Sequence, residues 1–257
     1  MHHAPPLVLC LSGHDPVGGA GIHADIEAVA AQGAHALSII TAHTVQDTTN
    51  VARVVAVAPI LIAAQIDALL QDCTIQAIKI GLLGDHEQVT VIANAARRLR
   101  VPLVLDPVLR AGGGSALASA ATVAAMQAEL FPLTTVLTPN AAEARRLAPG
   151  AGTVDGCAQA LLDAGCAHVL ITGGDEPGAE VLNRWYRVGQ TPQLYRWPRL
   201  PETFHGAGCT LAAAIAALLA QGLGVGDALA QAQAYTQHTL SQARRVGQGR
   251  RIPGRLP

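Results

Sequence analysis

Leu7-Val8-Leu9-Cys10-Leu11 runs into Gly13-His14-Asp15-Pro16-Val17-Gly18-Gly19-Ala20-Gly21, and the segment from Ile22 to Gln32 then reads as a helix stopped by Gly33. A short run that is apolar without alternation is how a strand covered on both faces of a parallel sheet reads. Strand, glycine-rich turn and helix therefore make the first unit of an α/β fold. The loop is not a Walker A motif, because no Gly-Lys-Ser/Thr follows, and it misses the dinucleotide-binding spacing. A plain strand-to-helix turn explains its glycines as well as a substrate role does. Asp25 is expected in the first turn of the helix, where a carboxylate pairs with the helix dipole and would face whatever the loop encloses.

The same alternation continues along the chain. Ala36 to Ala42 reads as a strand, Thr44 to Asn50 as a polar loop, and Val51 to Val57 as a further β-branched strand. Pro59 opens a helix to about Gln71, in its favoured first-turn position. Ala77-Ile78-Lys79-Ile80 and Pro102 to Leu105 are strands, separated by a helix that Asp85 and Gln88 cap and that runs to Leu99. An alanine-rich helix to about Leu130 precedes a strand at Thr135 to Leu137. In Thr138-Pro139-Asn140-Ala141-Ala142-Glu143, Asn as N-cap with Glu three residues later forms a capping box, which accounts for both residues without a ligand. Thr153 to Ala164 reads as a helix and His168 to Ile171 as a strand. Val181 to Tyr186 and Gln193 to Trp197 read as a β-hairpin. Repeated strand-helix alternation predicts a right-handed parallel sheet that binds ligands beyond the carboxyl ends of its strands. Asp15, Gln46, Lys79 and Asp106 fall near such ends.

The hairpin feeds Phe204-His205-Gly206-Ala207-Gly208-Cys209-Thr210, followed by the apolar run Leu211 to Leu219. Two glycines before a run of helix formers describe a tight turn opening onto a helix. The first N–H groups of a helix lack internal partners, and its dipole puts about half a positive charge there, so the turn suits an anion. In that field the Cys209 thiol is expected to ionise more easily than a free one. A buried apolar cysteine after an ordinary turn is the plainer alternative.

The 257 residues suit one domain, 1–257, with 1–6 and about 246–257 expected as flexible termini; a second long helix is expected from about Asp227 to Ala243. Hydrophobic residues make up 50% and aromatics 3%, so alanine carries the apolar character, and no run is long enough to cross a bilayer. A net charge of −1 without a basic block argues for small-molecule partners, not nucleic acid. Lys79 is the only lysine among 17 basic residues, and in so Arg-rich a chain it carries no chemical reading of its own. Five scattered cysteines argue against disulfides or a structural zinc site, and with no charged leader at Met1 to Ser12 a cytoplasmic location is expected.

Taken together, Ser12 to Asp25, Lys79-Ile80-Gly81-Leu82-Leu83, Asp106-Pro107-Val108-Leu109, Thr138 to Glu143 and Gly206 to Thr210 resemble the hydroxymethylpyrimidine/phosphomethylpyrimidine kinases of thiamine biosynthesis, within the ribokinase-like kinases. The resemblance runs from Leu9 to about Leu219. It implies a three-layer α/β/α fold with a mostly parallel central sheet and a small β-hairpin. The activity implied is phosphorylation of 4-amino-5-hydroxymethyl-2-methylpyrimidine and then of its monophosphate by MgATP, in a homodimer. Carried over by residue, Asp25, Gln46, Gly13, Leu82 and Val108 would surround the pyrimidine, Cys209 would be the catalytic base, and Gly206, Ala207 and Gly208 the anion hole. Asp106, Asn140, Gly173, Gly174 and Thr210 would meet ATP and its phosphates, with Glu143 and Asp106 at Mg²⁺, partly through water.

The chain departs from that pattern at 109–114, where relatives carry a lysine, at Thr172, and at 200–204 before His205. Pyridoxal kinase on the same fold stays open, as do two other classes of protein. A cysteine acyl-transfer enzyme would explain Cys209 but not Asn140, Glu143 or Asp106. A pyrimidine-binding regulator would bind without consuming ATP.

Overall fold

The computed structural model describes residues 4–256. Nine strands form one sheet in the order β3-β2-β1-β4-β5-β6-β7-β8-β9. Its parallel middle comprises β2 (His35–Gln46), β1 (Leu7–His14), β4 (Ala77–Ile80), β5 (Leu103–Leu105), β6 (Val136–Leu137) and β7 (His168–Ile171). Antiparallel strands close both sides: β3 (Val51–Ala56) beside β2, and the hairpin β8 (Glu180–Arg187) and β9 (Gln193–Pro198) beside β7.

Successive strand residues point to opposite faces, and the two cores divide on that period. Leu9 and Leu11 of β1, Ile78 and Ile80 of β4, and Leu103 and Leu105 of β5 enter one core. Helices α2 (Pro59–Asp72), α3 (Glu87–Leu99), α4 (Ala120–Ala125), α5 (Ala141–Leu147) and α6 (Val154–Asp163) supply residues to that core or pack against it. Val8, Cys10, Ala77 and Val104 enter the other core, covered by α1 (Gly21–Ala31), α7 (Ala207–Ala220) and α8 (Val225–Ser241). Helix α7 is buried from Thr210 to Leu219. Alanine dominates its sequence because a helix enclosed all round must pack close to the sheet and to two neighbouring helices. Lys79 has the parity of the second core, so its charge is aimed under α7.

Four expectations change. Thr44 to Gln46 are strand, not loop, because β3 returns antiparallel to pair with them. The alanine-rich helix ending at Leu130 is only six residues of α-helix, continued by a π-helical turn at Met126–Leu130. Helix α1 begins at Gly21, which leaves Asp25 past the first turn. The segment after α8, expected to be frayed, is tied down: Arg244 pairs with Ile252, and Phe204 with Arg251. Arg250 N–H donates to the Thr48 carbonyl at 2.9 Å. Among the described residues no helix is long and apolar enough to cross a membrane.

Candidate active site

The carboxyl ends of the strands and the start of α7 enclose a cleft of about 640 Å³. Gly13, Gln46, Leu82 and Val108 line one end, and Thr172, Gly174, Asn183 and Trp197 belong to the hairpin side. Asp106, Asn140, Glu143 and the segment Gly206 to Cys209 also line it. Twelve residues expected at a ligand site thus share one wall system, while Asp25, Gly173 and Thr210 do not line it.

The turn before α7 has Gly206 at φ +87°, and a side chain there would overlap the Gly19 carbonyl oxygen. Only glycine meets both demands. The turn closes through Thr210 N–H to the Gly206 carbonyl at 3.0 Å, and no side chain caps the helix. The N–H groups of Ala207, Gly208 and Cys209 are thereby left to the cleft. Asp106 stands against them: a Cβ on Gly208 would lie 3.6 Å from its Oδ2.

The electrostatics overturn the expectation for Cys209. Burial pushes its thiol up to about 12; Asp106 and Asp25 add to the rise, against the lowering effect of Lys79 and of a hydrogen bond from Gly21 N–H. Cys209 is partly exposed at the cleft, and there the burial of its thiol beside two carboxylates works against the helix field. Asp106 is itself raised to about 6, first by burial and further by Asp25, while Lys79 and a hydrogen bond from Cys209 oppose the rise.

Asp25 is fully buried and forms an ion pair with Lys79 at 2.7 Å, and it accepts a hydrogen bond from Ser12 Oγ at 2.6 Å. Burial alone would lower the Lys79 pKa, yet Asp25, Cys209 and Asp106 hold the ammonium above its ordinary value. Gly81 makes room for it, since a Cβ there would stand 2.6 Å from Lys79 Nζ. The pair is a fixed charge layer beneath the cleft, not a wall of it.

Asn140 and Glu143 form the expected capping box: Asn140 Oδ1 accepts Glu143 N–H at 2.8 Å, and Glu143 accepts Asn140 N–H at 3.0 Å. Both still line the cleft. Burial, then the Asp106 charge, raises the Glu143 pKa to about 8, against N–H donation from Asn140 and Leu109. The Asp106 charge bears on Glu143, and a cation beside the two carboxylates would relieve it. Oxygen donors of this kind suit Mg²⁺, which takes one or two carboxylates and fills its remaining positions with water and phosphate. Gly173 lies behind the wall, giving its N–H to Asn183 Oδ1 at 3.0 Å, and Thr210 is fully buried beneath Cys209.

The Phosphomethylpyrimidine kinase family model matches residues 15–253. The hydroxymethylpyrimidine/phosphomethylpyrimidine kinase of Synechococcus elongatus is 40% identical over 252 residues, 96% of this chain and 95% of that one. The chain belongs to the phosphomethylpyrimidine kinase family. Among solved structures, this family member is similar to the pyridoxal kinase of Staphylococcus aureus in complex with AMP-PCP and pyridoxal, with a TM-score of 0.89 at 26% identity, covering 98% of this chain and 94% of that one. It is also similar to the phosphomethylpyrimidine kinase of Clostridium difficile, with a TM-score of 0.79 at 29% identity, covering 91% and 99%. The fold is the ribokinase-like α/β fold, and the protein is a kinase.

Sequence reasoning placed Asp15 and Lys79 near strand ends without a partner and gave His205, Arg250 and Arg255 no role. His205 Nε2 meets Asp15 Oδ2 at 2.9 Å, bridging the glycine loop and the turn before α7. Lys79 did carry a signal: a charge inside an apolar strand must be buried against a partner. Arg250, which lines the cleft, and Arg255, which lies behind it, gave none.

Proposed function

We propose that this kinase transfers the terminal phosphoryl group of MgATP to the hydroxymethyl oxygen of 4-amino-5-hydroxymethyl-2-methylpyrimidine, and then phosphorylates the monophosphate, within thiamine diphosphate biosynthesis. The observation that carries this reading is that, in a chain whose family match spans residues 15–253, one cleft is lined both by Gln46 and by Cys209 at the N-terminus of α7. Among the described residues the Gln46 amide has no side-chain hydrogen bond, so it is available to the pyrimidine. Leu82 and Val108 offer the apolar faces a flat ring needs, and Gly13 passes close beside it.

Phosphoryl transfer through a loose transition state asks for alignment and charge stabilisation more than for a strong base. The N–H groups of Ala207, Gly208 and Cys209 would face the transferring oxygens, and Arg110 and Arg250 add positive charge to the lining. As the alcohol oxygen bonds to phosphorus and the bond to the ADP oxygen breaks, the alcohol proton must leave. A thiol held protonated accepts it at sulfur only while releasing its own proton. The Asp106 carboxylate, which stands beside Gly208 at the start of α7, would be the acceptor. Glu143, with Asp106 beside it and Asn140 acting through water, would hold Mg²⁺, which when bound neutralises phosphate charge.

The same proposal includes a homodimer in the cytoplasm. Val45, Val55, Ile60 and Leu61 are exposed apolar side chains on β2, β3 and α2, and a second copy would cover some of them.

Pyridoxal phosphorylation is the second reading, favoured by the likeness to a pyridoxal kinase holding AMP-PCP and pyridoxal. Turnover of both alcohols with MgATP, products resolved by mass, decides between them. Mono- and diphosphate from the pyrimidine support the proposal. Turnover of pyridoxal alone replaces it, and no phosphorylated product from either overturns both.

A further inference from the structure

We propose that Arg255 is a positioning residue of this kinase, holding the start of α7 at a fixed distance from the glycine loop; the inference rests on the reading of that junction as the site of transfer. The Arg255 side chain is fully enclosed. Its Nε donates to Thr210 Oγ1 at 2.8 Å, its Nη1 to the Gly18 carbonyl at 3.3 Å, and its Nη2 to the Gly19 carbonyl. Glu27 of α1 balances the charge at 3.0 Å from Nη1.

The Thr210, Gly18 and Gly19 contacts each lie within two residues of a residue that lines the cleft. Thr210 follows Cys209 and passes the connection on, its own Oγ1 donating to the Gly206 carbonyl at 2.8 Å. Gly18 and Gly19 precede Ala20 and Gly21, which line the same cleft as Cys209. A planar guanidinium with several fixed donors can span two carbonyls and a hydroxyl at once, which a lysine ammonium cannot. The arm has a firm base: Tyr235 Oη donates to the Arg255 carbonyl at 3.0 Å, and Gly254 N–H donates to the Thr239 carbonyl at 3.0 Å, both on α8. His205 and Asp15 join the same two segments on the cleft side, so Arg255 is the inner of two ties.

The test compares Arg255→Ala, Arg255→Lys and Thr210→Val with the wild type by thermal melting, by kcat and KM for the pyrimidine alcohol and ATP, and by the rate at which iodoacetamide alkylates Cys209 in the substrate-free protein, read by peptide mass mapping. In folded Arg255→Ala we expect kcat to fall about 10²-fold, the loss expected when reacting groups shift by about 1 Å, with both KM values within threefold of wild type. Cys209 alkylation should be at least tenfold faster, and millimolar guanidinium should restore part of both properties. Arg255→Lys should lose kcat without rescue, and Thr210→Val, which removes one arm only, should show a smaller loss if Arg255→Ala does not fold. Unchanged kcat and alkylation in any folded Arg255 variant would overturn the inference, as would a loss confined to KM. The alkylation readout needs no substrate, so it separates failure of this inference from failure of the kinase reading.

Discussion

Cys209 sits where a helix end would acidify a thiol, yet its surroundings keep the proton on sulfur. With the thiol near 12 and Asp106 near 6, kcat/KM should fall as pH drops below about 6, because a protonated Asp106 cannot receive the thiol proton; bound Mg²⁺ would move that limb lower still. Asp106→Asn should remove the limb. A profile that instead climbs with unit slope beyond pH 9 would make the thiolate itself the base. Cys209→Ala should lower kcat by about 10²–10⁴, the usual contribution of a positioned proton acceptor, while pyrimidine binding measured by calorimetry persists. Lys79 makes a second case in which burial decides. Removing it leaves the enclosed Asp25 charge unpaired, so Lys79→Ala should cost about 3–5 kcal/mol in denaturant unfolding. Lys79→Met with Asp25→Leu should recover most of that loss, and a cheap single variant would show that the pair is not sealed from water.

At the scale of elements, what was legible followed from local chemistry. The capping box of Asn140 and Glu143 needs only residues three apart, and the Gly206–Cys209 turn is written in its own glycines; both were readable. Gln46 was expected on a loop because its strand pairing comes from β3, and that register is not encoded in residues 44–46 themselves. Asp25 was expected to touch substrate, but its partner Lys79 is 54 residues away in sequence. The turn before α7 allows a direct test. Gly206→Ala forces a side chain into the left-handed region and onto the Gly19 carbonyl. Turnover should fall at least tenfold with a lowered melting temperature. Wild-type kcat in this variant would show that the turn is not held as described.

For the whole molecule, alternation of apolar strands and helices was enough to predict a mostly parallel sheet, and the parallel middle of the nine-stranded sheet realises it. The segment from Arg244 onward was not legible, since its arginines and glycines look like a solvated tail. Its role arises only when α8 returns it beneath the glycine loop, where Arg255 finds carbonyls from the other end of the chain. Assembly is the remaining property at this scale. Light scattering should give twice the 26.4 kDa chain mass, and Ile60→Glu, at a side chain 80% exposed, should shift it toward the monomer. A monomeric wild type would remove the dimer from the proposal. The most direct measurement is a crystal structure of the enzyme with the pyrimidine alcohol and AMP-PCP. We predict the hydroxymethyl oxygen within about 3.5 Å of Cys209 Sγ and the terminal phosphonate on the N–H groups of Ala207 to Cys209. An alcohol directed away from that sulfur, or a nucleotide whose phosphates miss the start of α7, would contradict the account.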